Sequence, residues 1–270
     1  MRRLDSAGAE SSRGYGCHID AFYGDADIAA VARLVADDAR SRILTTLADG
    51  RALPASLLAS EAGIARSTAS EHLAKLVGAG LVTVHPQGRH RYFRLSGPEV
   101  ASLLESLARF APPREVRSLR ESTRADALRR ARSCYDHLAG RLGVRIFAAL
   151  IEDGAVTGGD GVHRLDTGGD DRLSAPGRDV AYRLTPHGAE RLARLGVATP
   201  KPAADGTVPL RYCVDWTEQR HHLSGVVGRA LLDHLLASAW VERDGSPRAL
   251  RLTDAGRRAL RKQFGARVLG

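Results

Sequence analysis

Residues 66–95 read RSTASEHLAKLVGAGLVTVHPQGRHRYFRL, and their apolar period changes partway along. Up to Gly80, Leu73, Leu76 and Val77 share one helical face, while Ser67, Thr68, Ser70, Glu71 and His72 crowd the first turns. Thr68 with Glu71 has the spacing of a capping box, and Ser67 is an equal candidate for the N-cap. From Leu81 apolar and polar residues alternate, broken by Pro86, Gln87 and Gly88, which predicts a β-hairpin. Reading duplex DNA requires short polar groups that reach base edges in the major groove, flanked by cations for the phosphates. The candidate DNA-contacting residues are therefore Arg66, Ser67, Thr68, Ser70, Glu71, His72 and Lys75 on the helix, with Arg89, His90, Arg91 and Tyr92 on the hairpin. Between Arg66 and Arg94 five Lys/Arg stand against one acid, a local net of +4, so binding should be salt-sensitive.

Working outward, Ile28, Val31, Leu34 and Val35 mark one upstream helix, and Ile43, Leu44 and Leu47 the inner face of a second that Gly50 stops. Pro54 suits the first turn of a third, PASLLASEAG, which ends at Gly63. Downstream, PEVASLLESLARF predicts a helix closed by Pro112 and Pro113. Helix, helix, helix-turn-helix, hairpin, helix is the order of a winged helix-turn-helix, placed at 27–112.

The 270 residues leave room for two domains. Lys+Arg number 40 against 31 Asp+Glu, a formal charge of +9. A polyanion-binding surface needs such a surplus, and an arginine-rich coding bias gives it too. Cys17, Cys134 and Cys213 are too few and too scattered for a disulfide framework or a CxxC zinc pair, which points to a reducing cytoplasm. Residues 1–26 read as a flexible Gly/Ser-rich arm with no signal-peptide core. No apolar run approaches the ~18 residues of a membrane span, so no membrane partner is expected.

Beyond the prolines, residues 113–133 predict an exposed connector helix, with seven arginines against three acids from Arg114 to Arg132. A Gly/Asp-rich loop or hairpin follows at 154–171. The remainder, 134–270, contains an internal repeat: HLAGRLGVRIFAALIEDGAV from His137 matches HLSGVVGRALLDHLLASAWV from His222, an offset of 85. A second match follows in the same order, YRLTPHGAERLARLG from Tyr182 against LRLTDAGRRALRKQFG from Leu250. Each copy is expected to form a long helix, a β-hairpin and a helix N-capped by Thr185 or Thr253. The fold class expected is thus mainly α with small β-hairpins (α+β). A winged helix-turn-helix precedes a duplicated helix–hairpin–helix region for effector binding or oligomerisation.

Candidate ligand-binding residues in that region are Cys134, His137, Cys213, Asp215, Trp216 and His222. Cys134 and His137 would share a helical face, and Gln219 aligns where the first copy has Cys134. Metal, haem and organic ligands all suit these residue types. So does a structural use, in which the two histidines cap their helices and Trp216–Thr217–Glu218 opens one. No metal site and no cofactor is assigned.

The stretch DDARSRILTTLADGRALPASLLASEAGIARSTASEHLAKLVGAGLVTVHPQGRHRYFRL resembles the winged helix-turn-helix of the ArsR/SmtB family of bacterial regulators. Its most specific pieces are Arg40 to Leu47, SxASEHLAKL from Ser67, AGLV from Ala79 and GRxRYFRL from Gly88. The resemblance covers roughly 27–110. It implies a homodimer joined through helices around Ile28 to Val35 and Val100 to Phe110, repressing transcription from operator DNA. It does not carry over the family's metal sites: PASLLASEAG has no Cys or His, and PEVASLLESLARF has two glutamates and no His. Any signal, an effector of unidentified chemistry, should then enter through the second half. A regulator without a ligand, whose second half serves dimerisation or protein recruitment, is the alternative. The second half shows no Gly-rich phosphate loop, GxSxG elbow or HExxH, so no enzyme is expected. The stretch Arg243 to Arg267, with eight Lys/Arg and two acids, leaves a second DNA contact open.

Overall fold

The computed structural model describes residues 26–112, 115, 118–164, 180–245 and 247–269. The arm expected at 1–26, apart from its last residue, lies outside the described residues, as do Cys17 and the part of the Gly/Asp-rich stretch after Arg164.

The first half contains α1 (Ile28–Val35), α2 (Asp38–Leu47), β1 (Leu53–Pro54), α3 (Ala55–Ala62) and α4 (Arg66–Gly78). The hairpin β2 (Val82–Gln87) and β3 (His90–Leu95) follows, then α5 (Pro98–Phe110). Local chemistry sets the boundaries. The Asp37 carboxylate accepts from Arg40 N at 2.9 Å and caps α2. Gly63, at φ +71, ends α3 in the left-handed region that a Cβ disfavours. Ile43, Leu44, Leu47, Leu58, Leu73, Leu76 and Leu95 are at most 1% exposed and lock α4 onto α2 and α3. Each such side chain contributes about 1.5–3 kcal/mol when fully buried.

Three details differ from the sequence expectation. α4 starts at Arg66, and its N-cap is Ala65, with no side-chain cap. The chain leaves Gly63 extended at Ala65, so Ser67 and Thr68 already lie inside the first turn. The wing strands run through Pro86 and Gln87 to a two-residue turn at Gly88–Arg89. Proline is tolerated there because β2 is an edge of the sheet ordered β1-β3-β2. Pro54 belongs to β1, paired with Tyr92, and caps α3 instead of entering it; two residues are too few to show a period.

The second half runs α6 (Leu119–Arg130), β4 (Arg132–Cys134), β5 (His137–Ala139), α7 (Gly140–Glu152), β6 (Val156–Thr157), β7 (Arg183–Leu184) and α8 (Pro186–Arg194). It continues with β8 (Val208–Pro209), β9 (Arg211–Val214), β10 (His221–Ser224), α9 (Gly225–Ala237), β11 (Val241–Arg243), β12 (Leu250–Leu252) and α10 (Asp254–Phe264). The connector helix is shorter than 113–133: it stops at Arg130, because Arg132 to Cys134 pair with His137 to Ala139. Nor do helices begin at His137 and His222. Both residues lie on strands, and Gly140 (φ +75) and Gly225 (φ +65) turn each strand into its helix. Trp216, Thr217 and Glu218 lie in the β9–β10 turn, not at a helix entry.

Elements of the two matched segments correspond, α7 and α9 at an offset of 85 residues and α8 and α10 at 68. α7 and α9 have 13 residues each. A Cβ on Gly143 or Gly228 would sit 2.6 Å from the carbonyl oxygen of Leu138 or Leu223, so each helix crosses its own strand at a distance only glycine allows. Thr185 and Thr253 cap α8 and α10 by accepting from Gly188 N (3.1 Å) and Gly256 N (2.9 Å). Phe147, Leu150, Leu192, Leu231, Leu235 and Leu260 join in one core shared by all four helices.

A polar seam joins the halves. Tyr135 N donates to Ala48 O at 2.7 Å, just past α2, and Arg51 donates to Pro247 O at 2.8 Å. Glu105 of α5 is buried between Arg248 (2.5 Å) and Arg132 (3.9 Å).

Candidate nucleic-acid interface

With Ala69, Leu73 and Leu76 buried, α4 presents its remaining faces outward. Arg66, Ser67, Ser70, Glu71 and Lys75 are exposed, and Thr68 is half-buried. The Ser70 hydroxyl donates to Arg66 O at 3.0 Å, which leaves its lone pairs available to a donor on a base edge. His72 is the exception. It is half-buried, with Nδ1 3.5 Å from Arg40 Nη1 and 3.7 Å from the Asp37 carboxylate, and it ties α4 to the start of α2. The hydrogen bond from Arg40 N, then the charges of Arg40 and His72, hold the Asp37 carboxyl below its ordinary range.

On the wing, Arg89, His90 and Arg91 are exposed and Tyr92 is half-buried against β1 and β2. Gly88, at φ +59, has open space around its Cβ position, so the tip meets no steric obstacle within the chain. The exposed set matches what groove binding needs: short polar groups on a helix and cations on a projecting turn.

The structure also gathers the candidate ligand-binding residues. Cys134 faces His137 across β4–β5, and Cys213 faces His222 across β9–β10. Cys213, not Gln219, thus holds in its hairpin the position that Cys134 holds in the other. The β9–β10 turn is longer than the two-residue turn Tyr135–Asp136, which breaks the constant offset before the strand begins. Cys134, His137 and His222 are buried and Cys213 half-buried. The His137 and His222 rings stack with centroids 5.2 Å apart. The contact between the two sulfurs, together with burial, raises the Cys134 thiol well above its ordinary pKa; the same contact lowers Cys213. Burial, and then His137, push His222 down to about 3, so its ring is neutral.

Asp215 and Trp216 do different work. Fully buried Asp215 accepts from Arg132 at 3.0 Å, from Gly140 N at 2.7 Å and from Thr217. Burial opposes its ionisation, but the Arg132 guanidinium outweighs this and holds the carboxyl below the usual range. Trp216 packs under the same guanidinium, 4.8 Å from its carbon. The seam residues Glu105, Arg132 and Arg248 escaped the sequence reading, since nothing local signals that a long charged side chain finds its partner some 80 residues or more away.

A helix-turn-helix domain family matches residues 35–85. The chain is 36% identical to the HTH-type transcriptional regulator YdfF of Bacillus subtilis (strain 168) over 242 residues, covering 90% of this chain and 99% of that protein. Two solved structures are similar to the first half. One is the homodimeric winged helix-turn-helix DNA-binding domain of Mb0332 from Mycobacterium bovis, a possible ArsR-family transcriptional regulator (32% identity, 30% of this chain and 73% of that one, TM-score 0.28). The other is the cadmium metal-sensor CmtR from Mycobacterium tuberculosis (34% identity, 34% of this chain and 94% of that one, TM-score 0.28). Among the described residues no helix is long and apolar enough to cross a membrane. The chain belongs to the HTH-type transcriptional regulators, with a helix-turn-helix domain in its first half and a long C-terminal region beyond it.

Proposed function

We propose that this regulator is a cytoplasmic homodimeric repressor that inserts α4 into the major groove of operator DNA, sets its wing on the flanking backbone, and receives its signal through the second half. The observation that carries the reading is the exposed set Arg66, Ser67, Ser70, Glu71, Lys75, Arg89 and Arg91 on an otherwise core-packed helix and hairpin. Dimerisation is supported by apolar side chains that the monomer leaves in solvent: Ile28 on α1 is 77% exposed, and Leu107 and Phe110 on α5 are 45% and 82%. We further read 27–112 as the DNA-binding domain, the segment up to Arg130 as a connection, and the chain from Arg132 onward as two copies of a hairpin–helix–hairpin–helix unit. The equal lengths of α7 and α9 and the matching caps of α8 and α10 support the duplication.

The test is fluorescence anisotropy of the full chain on the DNA upstream of its own gene, in competition with random duplex. Preference for the upstream fragment by at least the ~10³-fold that separates specific from non-specific binding, weakening steeply with salt, is expected. Equal affinity for both duplexes would refute a sequence-specific role.

A further inference from the structure

We propose that Cys134, His137, Cys213 and His222 form a four-ligand site for a soft divalent cation of the zinc class, two ligands from each of two β-hairpins. The sequence reading assigned no metal: it set Cys134 and His137 on one helical face, put His222 at a helix start, and aligned Gln219 with Cys134. In the fold, each hairpin sets a Cys and a His directly opposite one another, Cys134 with His137 and Cys213 with His222. The two pairs meet so that one potential ligand atom from each residue lies within 4.8 Å of all the others. Tetrahedral zinc holds thiolate sulfur at about 2.3 Å and imidazole nitrogen at about 2.0–2.1 Å, which separates ligand atoms by roughly 3.3–3.8 Å, so shifts of roughly 1 Å complete the site.

Unmet hydrogen-bonding capacity points the same way. Nε2 of His137 and both ring nitrogens of His222 are buried and have no hydrogen-bond partner among the described residues. Orphaned buried polar atoms of this kind are costly, and coordination would satisfy one on each ring. The other nitrogen of His137 lies 3.2 Å from the Asp136 carboxylate, the outer partner that metal-bound imidazoles normally have. Asp215 stands 4.0 Å from His222 Nδ1.

The charge balances. The cation displaces to solvent one proton from each thiol and any second proton held by an imidazole, both histidines bind as neutral rings, and two thiolates cancel the double positive charge. A neutral complex suits so buried a place. Thiolate and imidazole donors select zinc or cadmium over magnesium or calcium. The site lies on neither α3 nor α5, and it stands independently of the DNA-binding reading.

The experiment is titration of tag-free, reduced, metal-stripped full chain with cobalt(II), followed by displacement with zinc. Expected are the intense visible bands of a tetrahedral cobalt centre, sulfur-to-cobalt charge transfer saturating at one ion per chain, and loss of both on adding zinc. Cys213→Ser, at the half-exposed ligand, should remove most of the charge transfer while the circular dichroism stays that of the parent. Asp136→Asn should weaken affinity roughly 10–100-fold. Cys17→Ser should leave the spectrum unchanged. Absence of tetrahedral cobalt bands in the reduced parent chain, an unaltered spectrum in folded Cys213→Ser, or loss of the spectrum in Cys17→Ser would each overturn the proposal. So would a Cys134–Cys213 disulfide that persists in reductant and excludes the ion.

Discussion

Arg91 and Ser70 separate the two kinds of contact that the interface offers. Arg91 is exposed on β3 and has the charge to meet a phosphate, whereas Ser70 is exposed on α4 with a hydroxyl short enough to reach a base edge. Arg91→Ala is expected to weaken binding to every duplex and to reduce the slope of log affinity against log salt by about 1, measured by anisotropy at several salt concentrations. Ser70→Ala should leave that slope alone and change the preferred sequence in a selection from random duplexes. If both variants bound like the parent, the assigned contacts would be wrong. The exposure of Ser70 on α4 was legible in the sequence because a helical face needs only its own spacing to be read. The role of His72 was not: its tie to Asp37 and Arg40 crosses from α4 to α2. Cys134 and His137 do lie side by side, but not on the helical face that their spacing suggested. Three residues apart is a helical spacing, but here it is the two ends of a tight turn.

At the level of elements, the hairpin and helix order of the first half could be read because each piece has a local signal: alternation for β2 and β3, Gly63 after α3, Pro98 at the start of α5. Where the signal is tertiary the reading slipped. β4 and β5 have three residues each and were absorbed into neighbouring helices. The caps of the closing helices were foreseen, and they carry a testable cost. Thr253 accepts from Gly256 N and donates to Ala239 O at 2.8 Å, so Thr253→Ala should cost about 1 kcal/mol in urea unfolding. Gly256→Ala should cost more, roughly 1–3 kcal/mol, because its new methyl would lie 2.1 Å from Trp240 O and force α10 off the β11–β12 hairpin. A neutral Gly256→Ala would show that α10 does not pack there.

Across the whole molecule, the buried charges of the seam decide how far the halves behave as one body. Removing one partner of a buried ion pair costs about 3–5 kcal/mol, since the other is left uncompensated. Glu105→Ala strands Arg248 and weakens the hold on Arg132, so calorimetry should show a single unfolding transition in the parent and two in the variant. One unshifted transition would mean that the seam contributes nothing. The exposed apolar residues of α1 and α5 make a second prediction: Phe110→Glu should shift the chain toward monomer in sedimentation and reduce DNA affinity with it. The seam has no period or motif to announce it; the apolar spacing on α1 could be read, but only the resemblance gave that face a partner. Tyr135 adds a constraint of another kind. At φ +57, wedged between Cys134 and His137 with its carbonyl pressed beneath Gly50, it occupies a turn two residues long. A single inserted residue there would displace the end of α2, against which the turn is pinned by the hydrogen bond from Tyr135 N to Ala48 O. Lineages of this protein should therefore keep the length of this turn unchanged.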